Sequence, residues 1–116
     1  MFYEWRTYTC MPGKMPVVLK RFESTTLGLF RKHGIRNGPL YTVAVGDDNL
    51  QVKYLIEWDS HEQRDQAWTA FRADPAWAEA LAVSEKDGPS VAKITNELLA
   101  AVPFSVASST PPPGRP

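Results

Sequence analysis

Glu4, Arg6 and Tyr8 alternate along the opening stretch Phe2-Tyr3-Glu4-Trp5-Arg6-Thr7-Tyr8-Thr9-Cys10. In an extended strand, residues two apart point to the same side. A carboxylate, a guanidinium and a phenol therefore meet on one face. Arg6 in that setting can hold the carboxylate, enolate or phenolate of a ligand. Glu4 or Tyr8 can hold or move a proton, so the trio is the candidate catalytic set. The same residues also fit an Arg6–Glu4 pair that orders the sheet or a subunit seam, and the sequence leaves both readings open. Tyr54 and Trp58 share a face of a later strand with Val52 and Ile56, while Trp68 and Phe71 lie on one helical stripe with Ala67. These four aromatics are the candidate substrate-binding residues, with plain core packing as the alternative.

Other chemistry-bearing residues point to bland roles. His33 stands at the expected end of a helix, where an imidazolium meets the C-terminal dipole favourably. His61-Glu62 begins like a zinc-protease motif, but Asp65 stands where the second histidine is needed. Two distant histidines make no metal signature, so no metal is expected. Cys10 has no base partner in the pattern and is expected to be a buried small residue. No glycine-rich phosphate loop occurs.

The elements that must position these groups follow from periodicity and punctuation. Aromatic and β-branched residues make Phe2 to Cys10 a strand, stopped at Pro12-Gly13. Met15, Val18, Leu19, Phe22, Leu29 and Phe30 recur at helical spacing and predict a helix over 14–33, with Pro16 in its first turn and Gly34 ending it. Residues 40–45 and 50–58 form the next two strands, a hairpin around Gly46-Asp47-Asp48-Asn49. Ser60 with Gln63 is a capping box that starts a second helix. Asp74-Pro75 interrupts it, Asp74 capping a further helix that ends at Gly88-Pro89. A last strand covers 91–101, closed by Pro103.

Strand, helix, strand, strand, helix, strand makes an α+β fold: a ferredoxin-like βαββαβ unit, a four-stranded antiparallel sheet with both helices on one face. The other face is too apolar to be left wet, and a second copy packed sheet to sheet covers it most simply. A homodimer is expected, with Phe2 and Tyr8 near the seam.

Bulk properties agree with a small globule and narrow the partners. The chain has 116 residues, 43% of them hydrophobic and 22% charged, which suits one domain. Thirteen basic residues balance thirteen acidic ones, so no net field favours nucleic acid or an anionic membrane. A single cysteine suits a reducing cytoplasm, and no apolar run is long enough to span a bilayer. Residues 1–105 are expected to form the domain. Residues 106–116, with Pro111-Pro112-Pro113, lack apolar periodicity and are expected to be a disordered tail.

With these residues laid out, the chain resembles the NIPSNAP family. The resemblance rests on Tyr3-Glu4-Trp5-Arg6-Thr7-Tyr8-Thr9 with Pro12-Gly13-Lys14, on Glu57-Trp58-Asp59-Ser60 with Arg64, on Asp74-Pro75 with Trp77, and on Asn96-Glu97 and Pro103-Phe104-Ser105. It implies the dimeric α/β-barrel superfamily, whose members commonly hold small molecules between sheet and helices. Analogy with its monooxygenases implies that Trp58 faces that pocket and stacks on a flat substrate. Relatives often carry His and Trp where Tyr54 and Ile56 stand here, so an imidazole acid, base or haem ligand is missing. The implied function is a cofactor-independent enzyme acting on an apolar or aromatic acidic ligand by proton transfer, as an isomerase, lyase or cyclase. The alternatives are a cofactor-free monooxygenase and a non-catalytic interaction protein.

Overall fold

The computed structural model describes residues 1–107. Strand β1 (Phe2–Cys10) is the centre of an antiparallel sheet, flanked by β4 (Gln51–Trp58) and β5 (Val91–Leu99). Its register sets Arg6 opposite Tyr54 on one side and Asn96 on the other. Glu4 likewise stands between Ile56 and Leu98. Alternation along β4 is strict: Val52, Tyr54, Ile56 and Trp58 are buried, whereas Gln51, Lys53, Leu55 and Glu57 are half-buried. One face of the sheet thus carries the helices and the other lies open.

The expected helix over 14–33 is present but interrupted. Residues Met15–Arg21 (α1) and Leu27–Lys32 (α2) are α-helical, and Phe22–Thr26 between them is a wider π turn. Ser24, Thr25 and Thr26 offer the backbone competing hydrogen bonds, and Thr26 Oγ1 donates to the Arg21 carbonyl at 3.3 Å. His33 caps α2, and Gly34 takes the left-handed conformation, φ +73°.

The predicted strand over 40–45 is a correction. Two short pieces, β2 (Arg36–Asn37) and β3 (Tyr41–Thr42), pair with successive stretches of β4, so the sheet has five strands rather than four. Gly38-Pro39 explains the break. Proline has no N–H to donate to a ladder, although Gly38 N still reaches the Leu55 carbonyl at 2.8 Å. The two pieces are one edge strand in function, and the ferredoxin-like class stands.

Helix α3 (His61–Ala73) starts at the expected cap, with Gln63 N donating to Ser60 Oγ at 3.1 Å. Gln63 returns its own carbonyl oxygen to Asp59 N rather than to Ser60 N. Asp74 caps α4 (Pro75–Ser84) through Ala76 N at 3.0 Å. The same carboxylate accepts from Lys32 Nζ and bonds His33 Nε2, both at 2.8 Å, so it fastens the end of α2 to the start of α4. Past β5, Pro103 opens the short helix α5 (Pro103–Ala107) instead of only ending the strand. The tail expected from residue 106 begins inside α5, and from 108 onward lies outside the described residues.

The helix-covered face of β1 is the one with Phe2, Glu4, Arg6, Tyr8 and Cys10. Tyr8 packs on Phe22 at 5.3 Å between ring centres, and Phe2 stacks on His61 at 4.3 Å. The expectation that Phe2 and Tyr8 border an open seam is therefore overturned. Helices α1 to α3 claim that face because its aromatics continue into the core of Phe22, Phe30, Tyr54, Trp58, Trp68 and Phe71. The open face carries Tyr3, Trp5 and Thr7, with Leu55 and Leu99 beside them. Near the sheet edge, Ile94 and Leu98 point to the helix side yet are each 47% exposed, because none of the described helices extends over β5.

Candidate functional site

The trio read from β1 does meet, and Glu4 is its fixed point. Its carboxylate is fully buried beneath α3. Oε1 accepts from Arg64 Nε at 2.9 Å, Trp58 Nε1 at 3.0 Å and Trp68 Nε1 at 3.3 Å. Oε2 accepts from Arg6 Nη1 and Asn96 Nδ2, each at 3.0 Å, and from Arg64 Nη2 at 3.3 Å. An ionised carboxylate offers about four lone-pair sites, so this one is saturated. Burial alone pushes its pKa up, but the bonds from Arg64, Asn96 and Trp58 and the charge of Arg6 outweigh it and hold the pKa to about 2. Glu4 is consequently an anion at any ordinary pH and has no lone pair left with which to take a proton.

Arg6 is the link between this anion and the phenols. Beyond Glu4, its Nε donates to Tyr54 Oη at 3.0 Å and its Nη2 to Tyr8 Oη at 3.3 Å. The guanidinium lies over the Trp68 ring, 4.6 Å from the centroid. Burial works against its charge, but the facing oxygens of Tyr54 and Tyr8 win and raise its pKa above the usual arginine value. Burial pushes the Tyr54 phenol well above 10, and Tyr54 passes its proton's hydrogen bond to Tyr8 Oη at 3.2 Å. Tyr8 thus accepts from Arg6 and from Tyr54, and among the described residues it donates to no one. Its O–H is the spare donor of the cluster.

Trp58, Trp68 and Phe71 enclose this network from the helix side. Trp68 packs on Trp58 and Phe71 at 5.9 and 5.6 Å, and Phe30 closes the group against Tyr54. Trp58 and Trp68 do more than pack, since both indole N–H groups end on Glu4. Phe71 packs on the rings of Phe30, Trp68 and Trp77. Solvent reaches the cluster at Arg6 and Arg64, whose side chains are 13% and 21% exposed. Across β5 the site continues into Asn96, flanked on the same face by Ile94 opposite Tyr8 and Leu98 opposite Glu4. The site therefore has a polar floor and an apolar apron beside it.

Two of its members, Arg64 and Asn96, carry no role in the sequence reading. Arg64 had a signal: it precedes Trp68 by four residues and Phe71 by seven, on the stripe that faces the sheet. Asn96 had its place in the Asn96-Glu97 motif, but its nearness to Glu4 depends on the β1–β5 pairing. Cys10 is buried beside Met15, and burial pushes its thiol up, in keeping with an inert core residue. Among the described residues, no three His, Cys, Asp or Glu side chains cluster as metal ligands, and no helix is long and apolar enough to cross a membrane.

Comparison with known proteins agrees with this fold. The NIPSNAP family profile matches residues 3–106. A NIPSNAP domain protein from Burkholderia xenovorans superposes with a TM-score of 0.76 at 24% identity, covering 90% of this chain and 97% of its own. An antibiotic biosynthesis monooxygenase superposes with a TM-score of 0.58 at 14% identity, covering 89% and 100%. A dimeric ferredoxin-like protein from an uncultured marine organism gives 0.57 at 16%, covering 87% and 93%. At such identities the likeness is one of fold. No curated protein matches the chain.

Proposed function

The chain belongs to the NIPSNAP family, and from that premise we propose that it binds a small apolar or aromatic acid and transfers a proton to it without a cofactor. Isomerisation, elimination and cyclisation are the reactions in range. The observation that carries this reading is the Tyr8 hydroxyl, which accepts from Arg6 and Tyr54 and donates to no described residue. A proton leaving Tyr8 for a developing anion on the ligand leaves a phenolate that already faces a guanidinium and a second phenol. That environment needs no rearrangement as charge appears.

The roles divide accordingly. Tyr8 is the acid. Arg6 holds the ligand's acidic group with the N–H bonds not spent on Glu4, Tyr54 and Tyr8, and it stabilises the phenolate. Glu4, saturated and anionic, positions Arg6 rather than moving protons. Tyr54 orients Tyr8, and Ile94 and Leu98 offer the ligand's apolar body a surface. Trp58, Trp68 and Phe71 form the dry wall behind the trio.

The test is a panel of aromatic and aliphatic acids, read by native mass spectrometry for binding and by product analysis for turnover. Tyr8→Phe keeps ring packing and both donors to its position. It is expected to bind within a few-fold of the natural chain and to lose turnover by about 10²–10⁴-fold. Arg6→Met is expected to lose binding. Full turnover by Tyr8→Phe removes the proposed acid.

A further inference from the structure

On the outer side of the helical layer, away from the Arg6 cluster, α1 and α4 diverge to leave a groove of about 550 Å³. Val17, Ala76, Ala80 and Val83 supply apolar walls, and Arg21 lies in its floor. Arg21 is only 5% exposed. Its Nη1 donates to Ser84 Oγ at 3.0 Å and to Ser90 Oγ at 2.9 Å, both neutral acceptors, and its guanidinium stands 5.7 Å from the Trp77 ring centre. Among the described residues, no carboxylate comes within 4.0 Å of it, and neither Nε nor Nη2 has an acceptor.

A buried guanidinium without an ionic partner is costly, because burying a charge is offset only by pairing it. Glu85 offsets part of the cost at one remove: its Oε2 accepts from Ser90 Oγ at 2.7 Å, and Ser90 in turn accepts from Arg21. Nε and Nη2 remain. No sealed polar atom is left unpaired among the described residues, so these nitrogens must meet open space. The groove is the space that Arg21 lines. Lys14, Lys20 and Lys86 add positive charge around it. The acids that line it, Glu79 and Asp87, are exposed and form no ion pair with Arg21. The π turn contributes Ser24 and Thr25 to the rim, and such wide turns recur where helices form binding sites.

From these features we infer that the groove between α1 and α4 binds an amphipathic carboxylic acid, its carboxylate on Arg21 Nε and Nη2 and its hydrocarbon body along Val17, Ala80 and Val83. The planar fork of arginine suits a carboxylate held through two parallel bonds. The volume lies in the range of small-molecule sites, and the walls are apolar where the stem runs. This site is separate from the proton-transfer site and does not depend on it.

The experiment is calorimetric titration of the full chain with sodium decanoate below its micellar concentration, with decanol as the uncharged control. Besides any uptake at the Arg6 site, decanoate is expected to bind at one groove site per chain, and decanol there at least tenfold more weakly. Arg21→Gln should weaken decanoate at least tenfold, with folding checked by circular dichroism. Val83→Asp changes an exposed side chain, leaves the core alone and places a like charge beside the stem, so it too should weaken binding at least tenfold. No decanoate binding, equal binding of decanol, or unchanged binding by Val83→Asp overturns the inference.

Discussion

Glu4 shows how one buried carboxylate can decide the chemistry of its neighbours. Its pKa stands at about 2 against an ordinary 4.5, so the unfolded chain binds its proton more readily than the folded one. The stability it confers is complete above pH about 4.5 and drains away as the pH falls from there toward 2, on the order of 3 kcal/mol in all. Urea unfolding followed between pH 2 and 6 should show that slope, and Glu4→Gln should flatten it while lowering stability at neutral pH by about 3 kcal/mol. A Glu4→Gln chain with the natural acid profile would place the effect elsewhere. Arg6→Met costs less, because Glu4 keeps Arg64, Asn96 and both indoles. At this scale the sequence was legible where spacing alone sets proximity, as with Glu4, Arg6 and Tyr8 on one strand face. It was illegible where proximity depends on pairing across the sheet, so the Asn96-Glu97 motif gives no sign that Asn96 meets Glu4. The reversed face of Tyr8 has the same origin: alternation says which residues lie together, but not which side the helices take.

The helices are joined by shared ring packing and by single polar residues at their ends. Asp74 is the clearest case, an N-cap for α4 that also receives Lys32 and His33 from α2. Lys32 and His33, with the Ala76 amide, hold its carboxyl below the usual carboxylate range, so its contribution too is present above that range and lost in acid. Asp74→Ala removes the cap and the link together. It should lower the melting temperature and speed amide exchange in the first turn of α4, with β1 unaffected; unchanged exchange there would show that the cap is dispensable. Capping signals were readable because they are local, as Ser60 with Gln63 also shows. The π turn and the divided edge strand were not. Each arises where a local preference, Ser/Thr competition or the missing N–H of Pro39, interrupts an otherwise regular hydrophobic pattern.

Among the described residues, the sheet presents one face that no helix covers. Tyr3, Trp5, Leu55 and Leu99 lie there, and we propose that a second copy covers them, giving a homodimer through the sheet. Light scattering at micromolar concentration should return twice the chain mass. Trp5→Glu, placing a charge amid this face, should return the chain mass with the circular dichroism spectrum kept. A natural chain that stays monomeric at that concentration ends the proposal. The ferredoxin-like class was legible from element order alone, whereas the face that the helices leave bare needed coordinates.

The central place of β1 has one more consequence, in the order of events during synthesis. β1 is made well before its second partner, since that ladder waits for residues 91–99. Until they emerge, one edge of β1 stays unpaired and Glu4 lacks Asn96. Loop closure across such a separation is slow compared with helix formation. The nascent chain must therefore shelter an aromatic, aggregation-prone edge until residues 91–99 have left the ribosome.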